Sequence, residues 1–177
     1  MSFNLYPKMM RKQLFLLVIF LSVFGSCEIK YKEHKTVKAK TQIYSVQTAL
    51  LNDFENDFTN EQKEELGKLL LEFDSVSSNK IVFLSIEACD ENLSFQDYVS
   101  NLAQKWHIDQ NNGGKTILLV FSKKKRKIAM SNGINVTNFS EIDANKIISE
   151  KVIPAFKDNN YYLGIKECIA EMIHKWK

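Results

Sequence analysis

Two stretches, Asn79–Cys89 (NKIVFLSIEAC) and Thr116–Ser122 (TILLVFS), run apolar almost without a break. A strand wetted on one face alternates apolar and polar residues. An unbroken β-branched and aromatic run instead demands cover on both faces. Such strands belong to a sheet with helices above and below it, and the flanking sequence has to supply those helices.

It does so. Thr59 with Gln62 makes a capping box, and behind it Leu66, Leu69, Leu70 and Phe73 recur at helical spacing. Ser94 caps a second helix with Phe95, Tyr98, Leu102 and Trp106 on one side. Ser140 caps a third, with Ile147, Ile148 and Val152 inside, and Pro154 is expected to stop it. A last helix carries Ile165, Cys168, Ile169, Met172, Ile173 and Trp176. Lys123–Arg126 is too polar for anything but a turn, and Lys127–Met130 continues as the partner strand of a hairpin. The expected fold is α/β: a three-layer α/β/α sandwich with a small mixed sheet that includes the hairpin, and helices on both faces. Residues 44–177 are enough for one such domain.

The residues before it read differently. Arg11 and Lys12, the apolar run Leu14–Phe24 and the small-residue exit Gly25-Ser26 are the parts of an export signal over residues 1–26. The run is shorter than the roughly 20 residues a membrane-spanning helix needs. Gly25-Ser26-Cys27 is similar to a bacterial lipobox, with Phe24 where an aliphatic residue is commoner. Cys27 is therefore the expected lipidation site and membrane tether, ordinary secretion being the simpler alternative. Residues 28–43 carry five lysines and no helical stripe, and so read as a solvated linker able to span about 20 Å as a coil. The expected location is extracytoplasmic, on a bacterial membrane.

Removing residues 1–26 takes away Lys8, Arg11 and Lys12 and no acid, so the 24 basic residues fall to 21 and match the 21 acidic ones. A neutral chain lacks the electrostatic footprint of a nucleic-acid binder, and no such partner is expected. Cys89 and Cys168 show no C-x-x-C or zinc spacing. An oxidising compartment permits a disulfide between them; two buried thiols fit the pattern as well.

The run Gly113-Gly114-Lys115-Thr116 invites comparison with a phosphate-binding loop. That loop begins Gly-x-x-x-x-Gly-Lys-Ser/Thr, follows a strand and opens a helix. Here Asp109 occupies the first glycine position, a helix precedes and a strand follows. No nucleotide is expected. Nucleophilic catalysis finds no support in the histidines either: His34 lies in the linker, His174 near the end of the last helix, and His107 at a helix end without a Ser or Cys partner. The Lys123–Arg126 tip could hold an anion, although a solvated turn accounts for it.

The order of short motifs resembles the TPM-domain family. The likeness runs through Asn52-Asp53 before a capped helix, Trp106, the Asn111-Asn112-Gly113 loop, the ILLV strand, Arg126-Lys127-Ile128, Ile147-Ile148 and IPAFKDNNYYLG at Ile153–Gly164. The resemblance implies an exported or membrane-tethered α/β/α sandwich, with calcium binding, weak acid-phosphatase activity and a part in assembling membrane complexes among its associations. Calcium wants several hard oxygens, mostly carboxylates. By resemblance the ligand positions here are Asp53, Asn111, Asn135 and Glu141, with Asp143 close to the last. Asn111 and Asn135 stand where the family has acids, so charge is lost while oxygen donors remain. The expectation is a binding and assembly module with an envelope-protein partner, meeting it through residues 107–116 and 131–141, with calcium held weakly. The competing expectation is a metal-assisted phosphatase acting on phosphomonoesters through Asp53.

Overall fold

A computed structural model describes residues 49–176; the export signal, Cys27 and the linker lie outside the described residues. In chain order these residues form β1 (Leu51–Asp53), α1 (Asn60–Val76), β2 (Lys80–Ser85), α2 (Phe95–Lys105), a 3-10 turn (Asn111–Gly114), β3 (Thr116–Ser122) and β4 (Lys127–Asn132). There follow α3 (Glu141–Ile147), a π-helical turn (Ile148–Val152), α4 (Ile153–Lys157) and α5 (Tyr161–Lys175). The sheet order is β1-β2-β3-β4, with the first three strands parallel and β4 antiparallel to β3.

Side chains on β2 and β3 alternate between two cores. Ile81, Phe83, Ile117, Leu119 and Phe121 enter a core built with α1, α3, the π turn, α4 and α5. Val82, Leu84, Leu118 and Val120 enter a second one closed by Phe95, Tyr98, Val99, Leu102 and Trp106 of α2 and its end. This is the three-layer sandwich, and it explains the unbroken apolar runs. Each fully buried large aliphatic or aromatic side chain contributes about 1.5–3 kcal/mol relative to exposure.

Local signals hold where they were read. The Thr59–Gln62 capping box is closed in both directions, and Ser94 accepts from Asp97 N–H. At Pro154 the outcome differs. Proline lacks the N–H a helix interior requires, but the chain does not stop there: α3 widens into the π turn, and Pro154 falls in the first turn of a new helix, where no N–H is needed. The short strand β1 was absent from the sequence reading, since three residues are too few to show a period.

Cys168 is buried among the α5 side chains and Cys89 packs on the opposite core, with the sheet between them, and both are free thiols. Burial pushes the Cys168 thiol up to about 12, so it stays protonated and unreactive.

Truncation at the centre should be costly: Phe83→Ala is expected to remove about 3–5 kcal/mol of stability in urea unfolding. A loss below about 1 kcal/mol would contradict the two-sided burial described here.

Candidate functional site

Polar groups gather at the two ends of the sheet, and each end is built differently. At the amino end of β3, two loops interlock. Asn135 N–H donates to Gly114 O at 3.0 Å, and its side-chain amide donates to Gly113 O at 2.7 Å. Gly133 N–H donates to Thr116 O at 2.8 Å, and the Asn132 amide donates to Phe139 O at 2.9 Å. The Asn112 amide donates to Ser78 O at 2.8 Å, which ties in the start of β2, while Asn111 donates to Trp106 O at 2.8 Å.

Backbone shape explains these residue types. His107, Asn112, Gly113 and Gly114 all take left-handed φ, which Asn and Gly tolerate best. A Cβ on Gly133 would lie 2.4 Å from the Gly114 carbonyl oxygen. Residues 107–116 and 131–141 thus form one rigid, amide-rich surface. It carries Asp109, exposed Lys115 and Glu141 among its amides, and aliphatic side chains in it or next to it in sequence stay open: Ile134 is 73% exposed, Ile142 80%, and Val76, two residues before Ser78, 81%.

The carboxyl end of the parallel strands is charged. Asp53 closes β1 opposite Ser85 of β2. One of its oxygens accepts from Asp57 N–H at 3.1 Å and from the Ser85 hydroxyl at 2.6 Å; the other accepts from Phe58 N–H at 3.2 Å and faces the Lys63 ammonium at 3.2 Å. The Asp53 side chain is only 3% exposed. Two residues on, Glu55 crosses to the β3–β4 hairpin, where its two oxygens accept N–H groups from Lys123 and Lys124 at 2.8 and 3.2 Å. Burial, opposed by those N–H groups and reinforced by neighbouring Asp57, raises Glu55 from its ordinary 4.5 to about 7. Asp57 is 9% exposed and pairs through one oxygen with Lys123 at 3.1 Å, while its other oxygen is buried without a hydrogen bond. Lys123 also lies 5.4 Å from the centre of the Tyr161 ring.

The architecture can now be compared with known proteins. The model of the TPM domain matches residues 51–175. The chain belongs to the TPM-domain family. Three solution structures share its fold: the N-terminal domain of a protein from P. gingivalis, BA42 from Bizionia argentinensis, and the N-terminal domain of the cg2496 protein from Corynebacterium glutamicum. The first has 20% identity and a TM-score of 0.65, covering 72% of this chain and 81% of that one. For BA42 the values are 12%, 0.59, 70% and 88%. For the corynebacterial domain they are 8%, 0.57, 75% and 82%. No curated protein sequence matches the chain.

Within this TPM domain the ligand positions implied by resemblance separate. Asp53 is level with Ser85 and so with Phe121 near the end of β3, while Asn111 and Asn135 flank its start at Thr116. Five residue steps along β3, about 17 Å, separate the two levels. Asp53 therefore shares no ligand shell with the asparagines, and its oxygens are already taken. Glu141 opens α3 as an exposed residue at the asparagine end. Neighbouring Asp143 completes a capping box: the Ser140 N–H and hydroxyl hold its carboxyl below the usual range, and Lys175 pairs with it at 3.3 Å. Asn111, Asn135 and Glu141 offer a cation one formal charge, a poor fit to the carboxylate-rich shells calcium prefers. Lys115 leads into β3, so the Gly-Gly-Lys-Thr run is a helix-to-strand connection.

The hairpin tip at Lys123–Arg126 was legible as a possible anion holder, whereas Glu55 and Asp57, which face it, were missed from sequence. The spacing Asp53-x-Glu55-x-Asp57 was a signal, but nothing local shows that a turn some 70 residues later covers it.

Two outcomes check this geometry. Gly133→Ala is expected to cost about 1–3 kcal/mol in thermal unfolding, because the obstacle is backbone and cannot rotate away. Glu55 is an acid with a raised folded value, so the folded state holds its proton more tightly than the unfolded chain. Its contribution is complete below about 4.5 and is lost as pH rises through about 7. The melting temperature should accordingly fall across that window, and Glu55→Gln should flatten the fall.

Proposed function

We propose that this TPM-domain chain is an exported, lipid-tethered binding module that holds a partner protein of the cell envelope through its asparagine-rich end. The observation that carries the reading is Ile134 left open in a pair of loops locked by amide–carbonyl bonds, with Ile142 and Val76 also exposed close to those loops in sequence. A preformed surface with exposed aliphatic anchors loses little entropy on docking, and apolar residues in one exposed region mark interaction sites more often than scattered ones do. Cys27, if acylated, would hold the chain at a membrane, since each buried methylene of a lipid chain adds about 0.8 kcal/mol. Asn111, Asn135 and Glu141 would give calcium a weak seat there, on the order of millimolar. The docking reading does not depend on it.

The competing reading, phosphomonoester hydrolysis at Asp53, is favoured by one observation: Glu55, with a proton held to near neutral pH, stands beside two lysines at the carboxyl edge of parallel strands, where α/β sheets commonly bind ligands. Against it, both Asp53 oxygens are engaged in holding the β1–α1 loop.

A photo-crosslinking residue placed at Ile134 in the membrane-bound full chain tests the proposal. A single stoichiometric adduct is expected, reduced about tenfold or more by Ile142→Asp (about 1.4 kcal/mol), and Cys27→Ser should release the chain from membranes. Absence of an adduct, combined with phosphomonoester hydrolysis abolished by Asp53→Ala, would replace binding with catalysis.

A further inference from the structure

The tip of the β3–β4 hairpin presents two consecutive backbone N–H groups, those of Lys123 and Lys124, to one carboxylate. Each oxygen of Glu55 takes one of them, and the Ser122 hydroxyl stands 3.4 Å from the second oxygen. Consecutive N–H groups turned the same way form a concave seat for an anion. Bonds from N–H to an ionised carboxylate are roughly twice as strong as neutral ones, a strength Glu55 reaches only as it loses its proton near neutral pH. The carboxylate in the seat comes from a different element, the β1–α1 loop, and burial opposes its charge.

The surrounding charges point the same way. Asp53, Asp57 and Glu87 face Lys63, Lys123 and Lys124 through pairs at 3.2, 3.1 and 3.0 Å, so these six side chains balance. Glu55 is the unbalanced seventh. If it swings out, the two N–H groups and the hydroxyl remain as donors on a neutral floor, with the Lys123 and Lys124 ammonium groups paired to Asp57 and Glu87.

We propose that the hairpin tip is a receptor for a carboxylate carried by a partner, an acidic side chain or a chain terminus, and that Glu55 occupies it as an intramolecular stand-in. The class follows from the resident group: the two donors are already spaced for the two oxygens of one carboxylate. Tethered on a short loop, Glu55 competes at an effective concentration in the millimolar range or above. An incoming carboxylate therefore binds with its affinity reduced by the fraction of molecules in which Glu55 has left. The site lies at the opposite end of the sheet from the asparagine-rich surface and stands or falls independently of it.

The test follows the Lys123 and Lys124 amide resonances of the full chain during titration with sodium acetate, against sodium chloride at equal ionic strength. In Glu55→Ala the two amides should shift saturably with acetate and stay put with chloride. The wild type should need about tenfold more acetate or higher. Glu55→Gln keeps the size and one acceptor oxygen without the charge, and should fall between them. Equal half-saturation in wild type and Glu55→Ala would overturn the proposal, as would shifts that follow ionic strength alone. A response to inorganic phosphate without one to acetate would overturn the carboxylate assignment. If both variants lose the dispersed hairpin resonances, Glu55 is a structural clasp and the receptor does not exist.

Discussion

Burial of β2 and β3 on both faces is the constraint from which the rest of the domain follows. Phe83, Leu119 and Phe121 fill one core and Leu84, Leu118 and Val120 the other. With both faces of the central strands packed, chemistry and recognition are confined to strand ends and the loops beyond them. The buried polar residues obey this rule: Asn52, Ser85, Thr116 and Ser122 all sit within a residue of a strand terminus. There each can reach a loop hydrogen-bond partner, because a polar group left unsatisfied in such a core would cost several kcal/mol.

The two ends solve the problem of loop order by different means. At the amino end of β3 the bonds run between amides and carbonyls, and left-handed Asn and Gly residues make the turns possible. Those bonds carry no net charge, so they are insensitive to salt. At the carboxyl end the bonds are ionic, with Asp53 fastening its own loop and Glu55 reaching across to the hairpin. Charges brought together in partial burial shift one another's protonation, which is why the group with a markedly raised carboxyl value stands there.

Much of this was legible beforehand, and the failures share a cause. Capping by Thr59 and Ser94, the hairpin at Lys123–Arg126, the layered fold and the family likeness all rest on neighbours in sequence or on periods of two and 3.6. Whether Cys89 meets Cys168 stayed open in the sequence because each cysteine lies on an apolar face, and apolarity does not say which side of the sheet that face meets. The set of Asp53, Asn111, Asn135 and Glu141 failed to converge for a related reason: loops at opposite ends of a strand look alike in sequence. Pro154 was read as a stop, whereas a π turn delivers the chain to it within the first turn of the next helix, where proline is accepted.

By itself the sequence determined the composition of each element: which stretches are strands covered twice, where helices begin, and where turns need Asn or Gly. These are short-range matters of period, capping and backbone sterics. Only the tertiary structure decided which distant groups meet. It set Glu55 on the backbone of a turn nearly 70 residues away, left Asp57 with a buried unbonded oxygen, and sent Asp53 and Asn135 to opposite ends of one sheet. The physical reason is that strand order and register are properties of the whole packed core, to which no local window has access.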